Sequence, residues 1–164
     1  MIRLGLVCAL LVACGPGVKG GPTMSNKIGS STMQPVTSSV VSADILSREP
    51  VANTAQVKHI LISWKDLEDE FQGHQDARAQ KRTKADAEAE VKQLMDRLKA
   101  GEDFDKLMKA HSEDLGSAAS GRAFTVTPDA QLVIEFRQLS LRLNVNEIGV
   151  VQSQFGFHII KRLE

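Results

Sequence analysis

Both cysteines of this 164-residue chain, Cys8 and Cys14, lie within its first fourteen positions. No disulfide and no cysteine-bound metal can staple anything downstream, so whatever folds must do so on a buried apolar core. The material for such a core is present, with 42% of residues hydrophobic and 24% charged, the range of a soluble globular protein. A chain of this length is expected to hold one ordinary domain plus an appendage. Twenty Lys and Arg balance twenty Asp and Glu, which leaves no basic excess for nucleic acid. Aromatic content of 4%, with no Tyr and one Trp, offers little stacking surface for bases or sugars. Nucleic acid is therefore not an expected partner.

The front of the chain reads as an address. Arg3 is the only charge in the first eighteen residues, and Leu4–Ala13 is a ten-residue apolar run. That is the make-up of a signal-peptide h-region, too short for the roughly 20 residues a membrane-spanning helix needs. The run closes on Leu11-Val12-Ala13-Cys14, which resembles the lipobox of bacterial lipoproteins. The resemblance implies cleavage after residue 13 and acylation of Cys14, hence a lipid anchor in the bacterial cell envelope; an ordinary secreted protein with a coincidental Cys is the alternative. Gly15 in the next position suggests, by the same resemblance, the outer membrane. Residues 14–55 are then expected to be the lipidated Cys and a disordered linker, since Gly, Pro, Ser and Thr make up about half of the stretch from Gly15 to Ala55. A flexible chain of about 40 residues spans on the order of 35 Å. Ser38–Leu46, bracketed by Pro35 and Pro50, is more apolar and stays open between a strand and a helix.

From Gln56 the pattern changes. Val57-Lys58-His59-Ile60-Leu61-Ile62-Ser63 is β-branched and mostly apolar, the signature of a central strand. Lys65–Lys81 is polar and reads as a long loop. Thr83 and Asp86 have the spacing of a capping box. Behind them Ala87, Val91, Leu94, Met95 and Leu98 form one helical stripe that Gly101 stops. A second short helix follows Asp103, and Leu115–Arg122, rich in small residues, reads as a loop. Ala123–Thr127 predicts a strand. Leu132, Phe136, Leu139 and Leu143 predict a helix, and two closing strands around Ser153–Gly156 predict a hairpin. Strand, two helices, strand, helix, strand, strand makes an α+β domain over residues 56–164.

Four segments in that order resemble the parvulin, or PpiC-type, family of peptidyl-prolyl cis/trans isomerases. They are Val57–Ile62; Gly101–Phe104 with His111-Ser112-Glu113-Asp114; Gln131–Phe136; and Phe155–Lys161. The resemblance implies a four-stranded antiparallel sheet surrounded by helices, with a proline pocket at its centre. It implies that His59 and His158 lie side by side beneath the pocket. Asp114 falls where members carry Cys or Asp, and Ser153 where they carry Thr or Ser near the second His. Leu132 and Phe136 match the residues that wall the proline ring, with Phe155 beside Ser153. The chain departs from the family at Ser120-Gly121-Arg122-Ala123-Phe124, where Gly-Gly-Asp-Leu-Gly is usual, so that one pocket wall is either lost or replaced by Phe124.

The implied activity is isomerisation of X-Pro bonds in proline-containing unfolded or extended polypeptides, assisting the folding of secreted or envelope proteins. His59, His158, Asp114 and Ser153 are the candidate catalytic cluster, and Leu132, Phe136, Phe155 and Phe124 the candidate substrate-binding set. A parvulin-like module that binds peptides without turnover is the alternative. No cofactor is expected. A metal is not expected either, because His74 and His111 have no ligand spacing with each other or with His59 and His158. Lys81-Arg82-Thr83-Lys84 reads as a solvated helix start, with a phosphate clamp as its rival.

Overall fold

The computed structural model describes residues 38–164; the apolar leader, Cys14 and the first part of the expected linker lie outside them. Four strands, β1 (Ala55–Ile62), β2 (Phe124–Val126), β3 (Ile148–Ser153) and β4 (Gly156–Arg162), form one antiparallel sheet in the order β2-β1-β4-β3. Five α-helices accompany it: α1 (Ala43–Leu46), α2 (Lys84–Lys99), α3 (Phe104–His111), α4 (Leu115–Ser120) and α5 (Ile134–Ser140). The α+β architecture with a central β1 is the one expected.

Alternation along the central strands sorts side chains into two cores. Ile60 and Ile62 of β1, with Phe157 and Ile159 of β4, pack against Val91, Leu94 and Leu98 of α2 and Leu107 and Met108 of α3. The opposite face carries Val57 and Ile160 against Phe136 and Leu139 of α5. Helix α2 starts where the capping box places it: Asp86 N–H donates to Thr83 Oγ1, and Thr83 N–H donates to the Asp86 carboxylate. At the β3–β4 turn Gly156 has φ of 133°, and a Cβ there would stand 2.5 Å from the Ile62 carbonyl oxygen. Only glycine lets the hairpin lie this close to β1.

Three expectations are corrected. The linker does not extend to residue 55: residues 38–55 belong to the folded unit. Ser42 N–H donates to Val150 O, and Val150 N–H donates to Ser42 Oγ, so the incoming chain covers the outer edge of β3. Ile45 of α1 is 4% exposed, within the second core. Within this stretch Ile45 is buried and Val40, Val41 and Leu46 are half-buried against partners distant in sequence, a burial that no local period announces. Leu115–Arg122 is not all loop; Asp114 accepts from Ser117 N–H and caps α4, and Gly121 at φ 63° ends it. Lys65–Phe71 and Ala79–Lys81 are short 3-10 turns inside the stretch read as loop.

An Ile45→Ala substitution should cost about 2 to 5 kcal/mol of stability, the range for emptying a buried aliphatic site. Urea unfolding measures it; an unchanged midpoint would show that residues 38–55 are not part of the cooperative unit.

Candidate active site

The β1–β4 register sets His59 opposite Ile160 and Leu61 opposite His158. Opposed residues share a face, so the two histidines are diagonal neighbours on the face that carries α5, within reach of each other's rings. Their imidazoles stack with centroids 5.4 Å apart and an interplanar angle of 22°. Both residues are nearly sealed, at 5% and 4% exposure.

Buried imidazoles need partners for all their nitrogens. Here they are linked in a line. His59 Nε2 lies 2.9 Å from Asp114 Oδ2, His59 Nδ1 lies 3.2 Å from His158 Nδ1, and His158 Nε2 lies 2.7 Å from Ser153 Oγ. Phe155 N–H donates to Ser153 Oγ at 3.1 Å. For two neutral rings, a carboxylate that only accepts fixes the tautomers. His59 Nε2–H donates to Asp114, leaving His59 Nδ1 to accept from His158 Nδ1–H, and His158 Nε2 then accepts the Ser153 hydroxyl proton. Every donor in the line points toward Asp114.

The electrostatics agree with that direction. The hydrogen bond from His59, helped by those from Ser117, holds the Asp114 carboxyl well below the usual carboxylate range against the opposing effect of burial. Burial, reinforced by the adjacent His59, pushes His158 down to about 3, against a smaller upward pull from Asp114. His158 is neutral at physiological pH.

Aromatic rings wall this line. Phe136 stands edge-on to both imidazoles, with centroids 5.2 Å from His59 and 5.5 Å from His158. Phe124 stands edge-on to His59 at 5.3 Å and lies 5.9 Å from Phe136. Leu132 is half-buried against the same cluster. An open hollow of about 480 Å³ begins beside Asp114 and is lined by Gly116, Ser117, Ser120, Arg122, Ala123 and Phe124.

Seven of the eight expected site residues therefore fall in one region. Phe155 is the exception: its ring packs edge-on against Phe71 at 5.7 Å, and only its main-chain N–H reaches the line, through Ser153. Sequence reasoning missed Ser117, whose hydroxyl donates to Asp114 Oδ2 at 2.5 Å. Its position three residues after Asp114 is the spacing of a helix cap and was the available signal. Arg82 is not part of a solvated helix start or a phosphate clamp, because the buried Glu113 and the half-buried Glu90 carboxylates engage it.

A family model described as the PPIC-type PPIASE domain matches residues 44–164. The chain belongs to the PPIC-type PPIase family. Among curated relatives of this chain, a foldase protein PrsA of Geobacillus kaustophilus is 31% identical over 108 residues, covering 65% of this chain and 38% of the relative. A chaperone SurA of Pseudomonas aeruginosa is 32% identical over 114 residues, covering 69% of this chain and 24% of the relative. The chain thus spans well under half the length of these relatives. Among solved structures, that of TbPIN1 superposes with a TM-score of 0.58 at 24% identity, covering 70% of this chain and 100% of that one. The peptidyl-prolyl isomerase ESS1 from Candida albicans superposes with a TM-score of 0.56 at 19% identity, covering 68% and 63%. Both share the parvulin fold.

Because folding holds His158 neutral, the unfolded chain binds the extra proton between the ordinary histidine value and about 3. Stability should therefore fall as pH drops through that window. From pH 7 to pH 5 the loss from His158 should be about 2 kcal/mol, taking 1.36 kcal/mol per unit. The depressed Asp114 carboxyl adds its own loss only at lower pH, once the unfolded carboxyl begins to protonate. Urea midpoints at the two pH values measure the difference, and His158→Gln should remove most of it.

Proposed function

We propose that this chain accelerates cis/trans isomerisation of X-Pro bonds in extended polypeptides, at the line of side chains from Asp114 through His59 and His158 to Ser153. The observation that carries this reading is that line's position beneath Phe136 and Phe124. The uncatalysed reaction crosses a barrier of about 18–20 kcal/mol and takes tens to hundreds of seconds. No bond is made or broken, so a catalyst need only favour the amide twisted out of plane over the planar one. Lowering the barrier by about 5 kcal/mol accelerates exchange by between three and four powers of ten.

Phe136, with Leu132 and the ring of Phe124, supplies an apolar seat for the pyrrolidine. The polar line supplies fixed dipoles whose donors and acceptors do not reorganise as the amide rotates. Asp114 holds His59 in one tautomer, and His59 holds His158. Ser153 keeps the far end of the line satisfied. The sequence similarity to a foldase and a chaperone supports unfolded or extended chains as the substrates.

The leader and its Cys14 support a lipid anchor at the bacterial cell envelope, with the described domain tethered on the outer-membrane side. No helix among the described residues is long and apolar enough to cross a membrane. A Cys14→Ser variant should shift the protein from the membrane pellet to the soluble fraction; unchanged fractionation removes the anchor.

A second reading, a peptide-binding module without turnover, is favoured by one observation. The ring of Phe124 stands against Phe136 where the family carries glycine, narrowing the apolar seat. Two-dimensional exchange NMR on an Ala-Pro peptide separates the readings. The isomerase should enhance exchange at micromolar protein, and Phe136→Ala should lower kcat/KM by roughly tenfold or more, equivalent to about 1.4 kcal/mol of transition-state binding. Binding without enhanced exchange, with turnover appearing only in Phe124→Gly, would establish the second reading instead.

A further inference from the structure

Strand β2 covers only the first part of the outer edge of β1, pairing with Ala55–Val57. Further along, a non-helical segment takes over that edge. Leu61 N–H donates to Ser112 Oγ at 3.1 Å, and Glu113 N–H donates to Leu61 O at 2.9 Å. Ser63 N–H donates to Glu113 Oε2 at 2.6 Å. The other oxygen of that carboxylate receives Arg82 Nη1 at 2.5 Å, and the same Nη1 donates to Ser63 O at 2.9 Å. Arg82 Nη2 is 2.8 Å from Glu90 on α2. The Glu113 side chain is 1% exposed and that of Arg82 is 11% exposed. Two charges so buried are costly unless every oxygen and N–H finds a partner. Both Glu113 oxygens do.

The residue after this clamp is Asp114, which must bring Oδ2 within 2.9 Å of His59 Nε2. Hydrogen bonds of that kind weaken steeply with small errors in distance and angle. We propose that Glu113, gripped by Arg82, is a positioning residue that holds Asp114 on His59 and so fixes the tautomer order of both imidazoles. Glu113 lines neither the hollow beside Asp114 nor the aromatic seat, so its influence on turnover passes through Asp114. This rests on the reading of the Asp114–His59 pair as the working site.

The test uses the full chain with two readouts. One is kcat and KM for exchange of a proline peptide. The other is the nitrogen-15 spectrum of the imidazoles, which reports whether His59 carries its proton on Nε2. Glu113→Gln keeps an acceptor for Ser63 N–H and loses the charge that Arg82 grips. It should lower kcat by roughly tenfold to a hundredfold, the scale of a misplacement near 1 Å, with KM within about twofold, and the His59 Nε2–H signal should broaden or vanish. Unchanged kcat with the His59 signal in place overturns the proposal, even where the melting temperature has dropped, because the pair is then only a structural tie.

Glu113→Gln leaves the buried Arg82 guanidinium with Glu90 as its one carboxylate partner and can fail to fold. The triple variant Arg82→Met, Glu90→Gln, Glu113→Gln removes all three charges of the clamp together. It should recover stability while kcat stays depressed; recovery of both together overturns the proposal. Asp114→Asn with unaltered kcat would instead sink the reading of the site itself, and the His59 spectrum of Glu113→Gln would still decide what Glu113 orders.

Discussion

The register between β1 and β4 is the constraint on which everything else depends. With Leu61 opposite His158, the even-numbered residues of β1 and the odd-numbered residues of β4 face α2 and α3, and both histidines face α5. A slip of one residue would turn two imidazoles into an aliphatic core and push isoleucines toward the site. The large apolar side chains on the other face make such a slip very costly. Gly156 limits it further, since the hairpin can pass the Ile62 carbonyl only at a residue without a side chain. The greasy face of the sheet thus sets where the polar face places its groups.

The polar line shows why burial here is tolerated. An imidazole removed from water loses its hydration and must regain it from protein groups. With Asp114 as pure acceptor at one end and the Phe155 N–H as pure donor at the other, the line has one consistent direction and leaves no nitrogen of the pair without a partner. Asp114 also caps α4, so the carboxylate that orders the histidines is itself held by a helix built from small residues.

Much of this was legible in the chain. The apolar run Val57–Ile62, the stripe from Ala87 to Leu98, the Thr83–Asp86 cap and the closing hairpin each carry a local periodicity or turn signal, and each formed nearly where expected. The members of the site came from the resemblance of four short segments, since a histidine on an apolar strand does not declare its partner. What escaped depends on contacts distant in sequence. Ile45 lacks a helical stripe of its own and is buried by Leu139 and Leu143. Arg82 sits in a basic run that looks solvated, and only the fold brings Glu113 to it. Phe155 shows the limit of adjacency: two positions from Ser153, at a tight turn, its ring leaves the site for Phe71 while its backbone stays.

The way Ser42 meets Val150 has a further meaning under the proposed role on unfolded chains. A sheet margin with free amides and carbonyls invites any extended segment to add on as another strand. Part of the β3 margin is already taken by the protein's own incoming segment, through both a backbone and a hydroxyl partner. On the opposite side, β2 is only three residues long. If that role holds, so little open margin would let the molecule meet sticky polypeptides at its aromatic seat while offering them few places to add on as a strand.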